Sequence, residues 1–337
     1  MNYRLIAATI LTTVLAVPAV HAGETLDAVK KKGFVQCGVN TPFPGFVNTS
    51  EDGEWSGLDV DVCRAVATAV FGDSTKLKYT PLTAKERFTA LQSGEIDMLS
   101  RNTTWTLGRD NGLGLNFAGI NYYDGQGFMV KKELGVNSAK ELDGASVCIQ
   151  TGTTTELNLA DYFRTQAMKY EPVAYDRLEE TVKAFESGRC DVLTSDQSQL
   201  YSLRILMTDP ESAIVLPEVI SKEPLGPAVR NGDDEWFKVV RWSLYAMIEA
   251  EDLGLTSANI DKMAKSDNPA IQRFVGADGD AMGIPLDPKW AYNIIKQVGN
   301  YGESFERNVG QGSPLKISRG LNALWKDGGL QYSPPFR

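Results

Sequence analysis

The 337-residue chain has one histidine, His21, and it falls inside an N-terminal stretch expected to be cleaved away. A mature protein without histidine has no Ser-His-Asp or Cys-His catalysis, no histidine-bound zinc and no histidine pH switch. There is no CxxC pair to suggest redox exchange or a zinc ribbon. There is also no GxGxxG, P-loop or EF-hand loop, so nothing calls for a nucleotide, a metal or another cofactor. With 34 Lys and Arg against 43 Asp and Glu, the formal charge is −9 and no basic cluster stands out. Such a chain is a poor partner for nucleic acid or an anionic membrane, and its charge mainly favours solubility.

Long apolar runs are scarce too. Leu5 to Val17 is too short to span a bilayer. Arg4 precedes it, and Pro18 and the small-residue ending Val20-His21-Ala22 follow. This predicts a secretory signal peptide over residues 1–22, cleaved before Gly23. No cysteine follows the cleavage point to carry a lipid, so a soluble exported chain is expected.

What the sequence does have is a segment used twice. FTALQSGEIDMLSRN (Phe88 to Asn102) returns as VKAFESGRCDVLTSD (Val182 to Asp196). Each copy reads as an amphipathic helix, a Ser-Gly turn, an acidic residue and an apolar strand with a polar end: Ser100, Arg101 and Asn102 in one, Thr194, Ser195 and Asp196 in the other. Ligands of open α/β sheets sit at the carboxyl ends of strands. Two copies therefore predict two sheets presenting two polar strand ends to one ligand, as in a clamp.

The flanking pattern supports this. Strands near Phe34 to Val39, Lys76 to Tyr79 and Asp97 to Ser100 alternate with helices near Asp59 to Phe71 and Ala84 to Gln92. A second β/α series runs through Ser146 to Gln150, a helix opening near Thr155, Pro172 to Ala174 and a helix at Glu179 to Ser187. Gln126 to Lys132 is the expected crossing strand between lobes, and Leu225 to Arg230 the expected return. The division is then residues 23–125 plus 223–337 in lobe 1 and 126–222 in lobe 2, with two crossing strands as a hinge. The long tail after Leu255 is expected to pack on lobe 1.

Four cysteines remain for an oxidising compartment, Cys37, Cys63, Cys148 and Cys190, and three pairings are open. Pairing Cys37 with Cys63 and Cys148 with Cys190 keeps each bridge in one lobe. A bridge between lobes would lock a clamp that has to open, so the lobe-internal pairing is expected.

The stretch from Gly57 to Val70, GLDVDVCRAVATAV, resembles the signature of the family 3 periplasmic solute-binding proteins, the polar amino-acid receptors of ABC transporters. The resemblance spans about Gly33 to Lys265. SRNTTWTLGRDN (Ser100 to Asn111) and the long carboxyl-terminal region are most similar to the general L-amino-acid-binding branch. It implies an α/β, two-lobed type II periplasmic-binding-protein fold that closes on an L-amino acid and docks as a monomer on an inner-membrane permease.

The resemblance also implies site residues. Arg109 falls on the carboxylate-binding arginine, whose planar fork matches a carboxylate with two parallel hydrogen bonds. Asn102 and Thr104 fall on head-group contacts, and Asp196 on the acidic partner of the α-ammonium. Thr153 and Thr154 stand at a helix start, where free N–H groups favour a carboxylate. Phe43, with Phe46 near it, falls on the aromatic laid over the ligand side chain. Arg101 stands where relatives carry a small residue, and positive charge there favours glutamate or aspartate, with glutamine and asparagine also admitted. Two rival readings are a dehydratase-like enzyme of the same fold, using an acid or base such as Glu95, Asp97 or Asp191, and a soluble sensor that presents its ligand to a chemoreceptor.

Overall fold

In a computed structural model, residues 23–337 are described. The expected signal peptide, residues 1–22, lies outside them. Two five-stranded sheets carry the fold, and their topologies match. The first runs Leu77–Leu82, Val35–Asn40, Met98–Leu99, Ala228–Arg230, Leu115–Phe117, and the second Tyr170–Tyr175, Ala145–Gln150, Val192–Asp196, Gln126–Lys131, Ala213–Val215. In each, the first three strands are parallel and the fourth is antiparallel to its neighbours. The strands of the two repeats occupy the same third position, so the sequence repeat is a structural one.

Helices cover the sheets because their apolar stripes have nowhere else to go. Leu58–Phe71 buries Val60, Cys63, Val66 and Ala67, and it ends at Gly72, whose left-handed φ of 67° lets its N–H close on the Thr68 carbonyl. The tail helices Trp290–Gln297 and Tyr301–Asn308 pack on this helix and on Asp234–Asp252. The chain end closes the same layer: Phe336 lies with its ring centroid 5.2 Å from Trp242 and 5.3 Å from Phe274. Among the described residues, no helix is long and apolar enough to cross a membrane.

Both disulfides join as expected. Cys37 pairs with Cys63 across a Cα separation of 6.2 Å, and Cys148 with Cys190 across 5.6 Å. The first ties the strand Val35–Asn40 to the helix Leu58–Phe71, and the second ties the strand Ala145–Gln150 to the turn just before Val192–Asp196.

The crossing strands differ from the expected ones. The lobes are joined by a short antiparallel ribbon, Tyr122–Asp124 against Glu223–Leu225. Gln126–Lys131 and Ala228–Arg230 are interior sheet strands instead. Their nearly continuous burial suits strands covered on both faces. The ribbon lies before each, set off by Gly125 and Gly226. A Cβ on Gly226 would stand 1.9 Å from the Gly119 carbonyl oxygen, so only glycine lets the two segments pass.

Pro224 faces Tyr123 across the ribbon, which turns the Tyr123 backbone groups outward. The Asn322 carboxamide meets both of them, accepting from the Tyr123 N–H at 2.7 Å and donating to its carbonyl at 3.1 Å. On the other edge, the Trp105 N–H donates to the Pro224 carbonyl at 2.8 Å.

Candidate functional site

The first lobe's repeat strand ends in a bend fixed by Asp59, a buried residue in the first turn of the helix Leu58–Phe71. Its carboxylate accepts from the Asn102 N–H at 2.7 Å, Asn121 Nδ2 at 2.9 Å and Ser100 Oγ at 3.4 Å. Burial pushes the Asp59 pKa up, and these donors hold it back. The bend leaves Asn102 at φ 30°, a conformation asparagine tolerates better than most residues. Its side-chain oxygen accepts from Asn40 Nδ2 at 3.0 Å.

Arg101 is 2 % exposed and points into the lobe. Nε donates to the Leu82 carbonyl at 2.9 Å, Nη2 to Asn40 Oδ1 at 2.9 Å and Nη1 to Asn102 Oδ1 at 3.4 Å. Burial lowers its pKa to about 10, against the opposing pull of Asp59. The guanidinium is thus largely engaged by protein oxygens.

Arg109 lies in the helix Leu107–Gly112, whose N-cap Thr106 accepts from the Arg109 N–H at 3.2 Å. One guanidinium nitrogen donates to the Thr104 carbonyl at 2.9 Å, and the group sits 5.2 Å from the Phe88 ring centre. Arg87, which the sequence did not single out, lies on the same ring at 4.7 Å and is 3 % exposed. Its hydrogen bonds are long: 3.5 Å to Thr103 Oγ1 and, across to the second lobe, 3.4 Å to the Gly152 carbonyl. Its buried Nε has no partner among the described residues. Burial lowers both pKa values; next, the charges of Arg101 and Arg109 lower that of Arg87, whereas Glu223 and Asp196 raise that of Arg109. Among the described residues, none of the three arginines forms an ion pair.

In the second lobe, Asp196 ends the strand Val192–Asp196 just before the helix Gln197–Leu206. It is 7 % exposed, and its carboxylate takes no hydrogen bond or ion pair from the described residues. Burial raises its pKa well above the ordinary range, and Asp124 and Glu223 push the same way against Arg109 and Arg87.

The threonines of the helix start divide. Thr153 donates to the Gln150 carbonyl at 2.7 Å, within its own turn. Thr154 does not cap the helix: its hydroxyl donates to Glu223 Oε2 at 2.9 Å. Thr104 of the first lobe donates to that same oxygen at 2.6 Å. The Gly152 N–H is taken by the Glu156 carboxylate at 2.8 Å.

Phe43 is buried and stacked on Phe46 at 5.2 Å, with Phe46 edge-on to Tyr122. Beside it, the Pro44 carbonyl accepts from Ser202 Oγ of the second lobe at 2.7 Å. The lobes therefore meet, and near the contact buried Arg87 and half-buried Arg109 of the first lobe lie close enough to buried Asp196 of the second to feel its charge. Among the described residues, no group of three or more His, Cys, Asp or Glu is placed to hold a metal.

Three relatives share this layout or its sequence. The general L-amino acid-binding periplasmic protein AapJ of Rhizobium johnstonii is 61% identical over 341 residues, covering 100% of each chain. The glutamate/glutamine/aspartate/asparagine-binding protein BztA of Rhodobacter capsulatus is 52% identical over 330 residues, covering 96% of this chain and 97% of that protein. A solved periplasmic binding protein of an ABC transporter from Brucella ovis, with glutathione bound, superposes with a TM-score of 0.92 at 60% identity, covering 94% of this chain and 100% of the other. The sequence profile of one family matches residues 35–258, from the first strand through the long helix that follows the hinge. The chain belongs to the bacterial extracellular solute-binding proteins, family 3.

Proposed function

We propose that this solute-binding protein is the periplasmic receptor of an ABC importer for L-amino acids, released by cleavage of residues 1–22 and working as a monomer that delivers its ligand to an inner-membrane permease. Its moving parts are residues 23–125 plus 223–337 and residues 126–222, turning about the Tyr122–Asp124 and Glu223–Leu225 ribbon. One observation carries the reading: Arg87 and Asp196 are buried and Arg109 is half-buried, from both lobes, and none of the three has an ion-pair partner among the described residues. Buried charge without a partner is costly, and a zwitterion supplies the missing partners.

Arg109 takes the α-carboxylate and Asp196 the α-ammonium. Thr104 and Thr154 border the head group, and Asn102 and Thr153 shape the two turns that present it. Phe43 walls the side-chain end. The preference is for polar and acidic side chains, with Arg87 facing the distal carboxylate or amide and Arg101 adding positive potential behind it. AapJ and BztA support amino acids as the ligand class, and BztA supports the side-chain preference. The γ-glutamyl end of glutathione carries the same α-ammonium and α-carboxylate, so γ-glutamyl peptides belong in the ligand panel beside amino acids.

The test is a thermal-shift screen of mature protein, unfolded and refolded to strip carried-over ligand. A ligand at 100 times its Kd adds about 2.7 kcal/mol of stability. Stabilisation by glutamate, glutamine, aspartate and asparagine that disappears in Arg109→Ala and Asp196→Ala supports the proposal. No shift with any L-amino acid or γ-glutamyl peptide overturns it.

A further inference from the structure

Glu223 belongs to the hinge ribbon, is 2 % exposed, and was not among the residues the sequence pointed to. Four donors converge on its carboxylate. Oε2 accepts from Thr104 Oγ1 at 2.6 Å and from Thr154 Oγ1 at 2.9 Å, one from each lobe. Oε1 accepts from Asn158 Nδ2 at 2.6 Å and Ser221 Oγ at 2.7 Å. An ionised carboxylate only accepts, and four donors fill its lone-pair sites. The two threonine hydroxyls must therefore spend their single protons on Glu223.

This fixes what they show to a ligand. A threonine hydroxyl has one proton and two lone pairs, so once the proton is committed only acceptor capacity is left. Among the described residues neither oxygen has another partner. They neighbour each other on one carboxylate oxygen, close enough to the binding charges for Glu223 to be felt by both Arg109 and Asp196.

We propose that Glu223 is a positioning residue that orients the Thr104 and Thr154 hydroxyls as a pair of acceptors for the ligand's ammonium group, assembled only when the lobes meet. The inference rests on the amino-acid reading above and adds a donor-acceptor polarity to it. The ammonium, with three protons, is met by Asp196 and the threonine pair, and the carboxylate is left to Arg109. A glutamine at 223 offers one acceptor oxygen and one donor nitrogen. If the nitrogen faces the pair, it donates to a hydroxyl, whose own proton then turns toward the ammonium.

The test is calorimetric titration of refolded protein with L-glutamate and with glutarate, the same diacid without the ammonium. In Glu223→Gln, glutamate affinity is expected to fall at least about tenfold, the scale of one lost hydrogen bond to a charge, while glutarate affinity changes by less than about threefold. Thr154→Val is expected to repeat that selective loss, and Thr154→Ser to restore wild-type discrimination. The Thr154 pair decides the question if Glu223→Gln does not fold. Equal losses for both ligands, or unchanged discrimination in both Glu223→Gln and Thr154→Val, overturn the proposal and leave the amino-acid reading standing. A wild-type protein that binds no L-glutamate withdraws the acidic-ligand reading, and this one with it.

Discussion

Lys85 of the first lobe and Asp176 of the second form an ion pair at 2.6 Å across the mouth between the lobes. Thr151 Oγ1 also donates to Asp176 at 2.6 Å, so the carboxylate is held for the lysine. Both side chains are exposed, at 52% and 62%. Exposed pairs contribute little, because water and salt screen them. Lys85→Ala is therefore expected to leave ligand affinity within about threefold of wild type, by calorimetry at physiological salt. A larger loss would place the closing energy at this rim instead of in the buried groups.

Arg109→Lys keeps the charge and removes the fork. Lysine can supply only one of the two parallel charge-assisted hydrogen bonds, so affinity for every α-amino acid is expected to fall by at least about tenfold, the scale of one hydrogen bond to a charge. Because the α-carboxylate is common to all, glutamate and glutamine should lose by the same factor. A loss confined to one of them would move Arg109 from the head group to the side chain.

Arg87→Gln tests the side-chain end. It removes a buried cation whose Nε has no partner, so the folded protein is expected to melt at the same temperature or higher. Affinity for glutamate should fall at least about tenfold more than affinity for glutamine, the scale of a charged hydrogen bond. Equal losses would show that Arg87 does not face the distal group.

The acidic groups predict a pH dependence. Burial raises Asp124 to about 6, against its hydrogen bonds from Ser198 and the Gly125 N–H and with Glu223 facing it across the ribbon. A carboxyl with a raised folded pKa binds its proton more tightly than the unfolded chain does. Ligand-free stability is therefore expected to decline as pH rises from about 4 through about 6, relative to Asp124→Asn. An ammonium reverses the preference, because it favours ionised Asp196 and Asp124. Ligand affinity should accordingly weaken as pH falls below about 6, with proton release visible as a buffer-dependent heat. Asp124→Asn should flatten that dependence near 6.

The repeat, the helices and the disulfides were legible because each has a local signal: apolar periodicity, a Ser-Gly turn, cysteines in corresponding strands. The ribbon was not. Three-residue strands carrying Pro224 have no periodicity to read, and the longer apolar runs beside them drew the assignment. Arg87 opens a short amphipathic helix, where arginine reads as a solvated residue, but it is covered by Phe88 and Thr103 of its own lobe and reached by the Gly152 turn of the other. Glu223 stands in a polar Ser-Lys-Glu-Pro stretch that resembles a surface loop. Its four donors come from residues 104, 154, 158 and 221, so no local window contains the cluster.

The carboxamide of Asn322 against Tyr123 has a consequence for association. A two-stranded ribbon has two open edges, and an open edge invites a strand from another copy of the chain. A ribbon that is also a hinge is where exchange of whole lobes between copies would begin. Asn322 fills the donor and acceptor on one side as a further strand would, and the Trp105 N–H takes the Pro224 carbonyl on the other. The carboxyl-terminal tail thereby covers this edge of the joint between the lobes, leaving the Tyr123 backbone no free donor or acceptor on which a neighbouring copy could add a strand, even at high concentration.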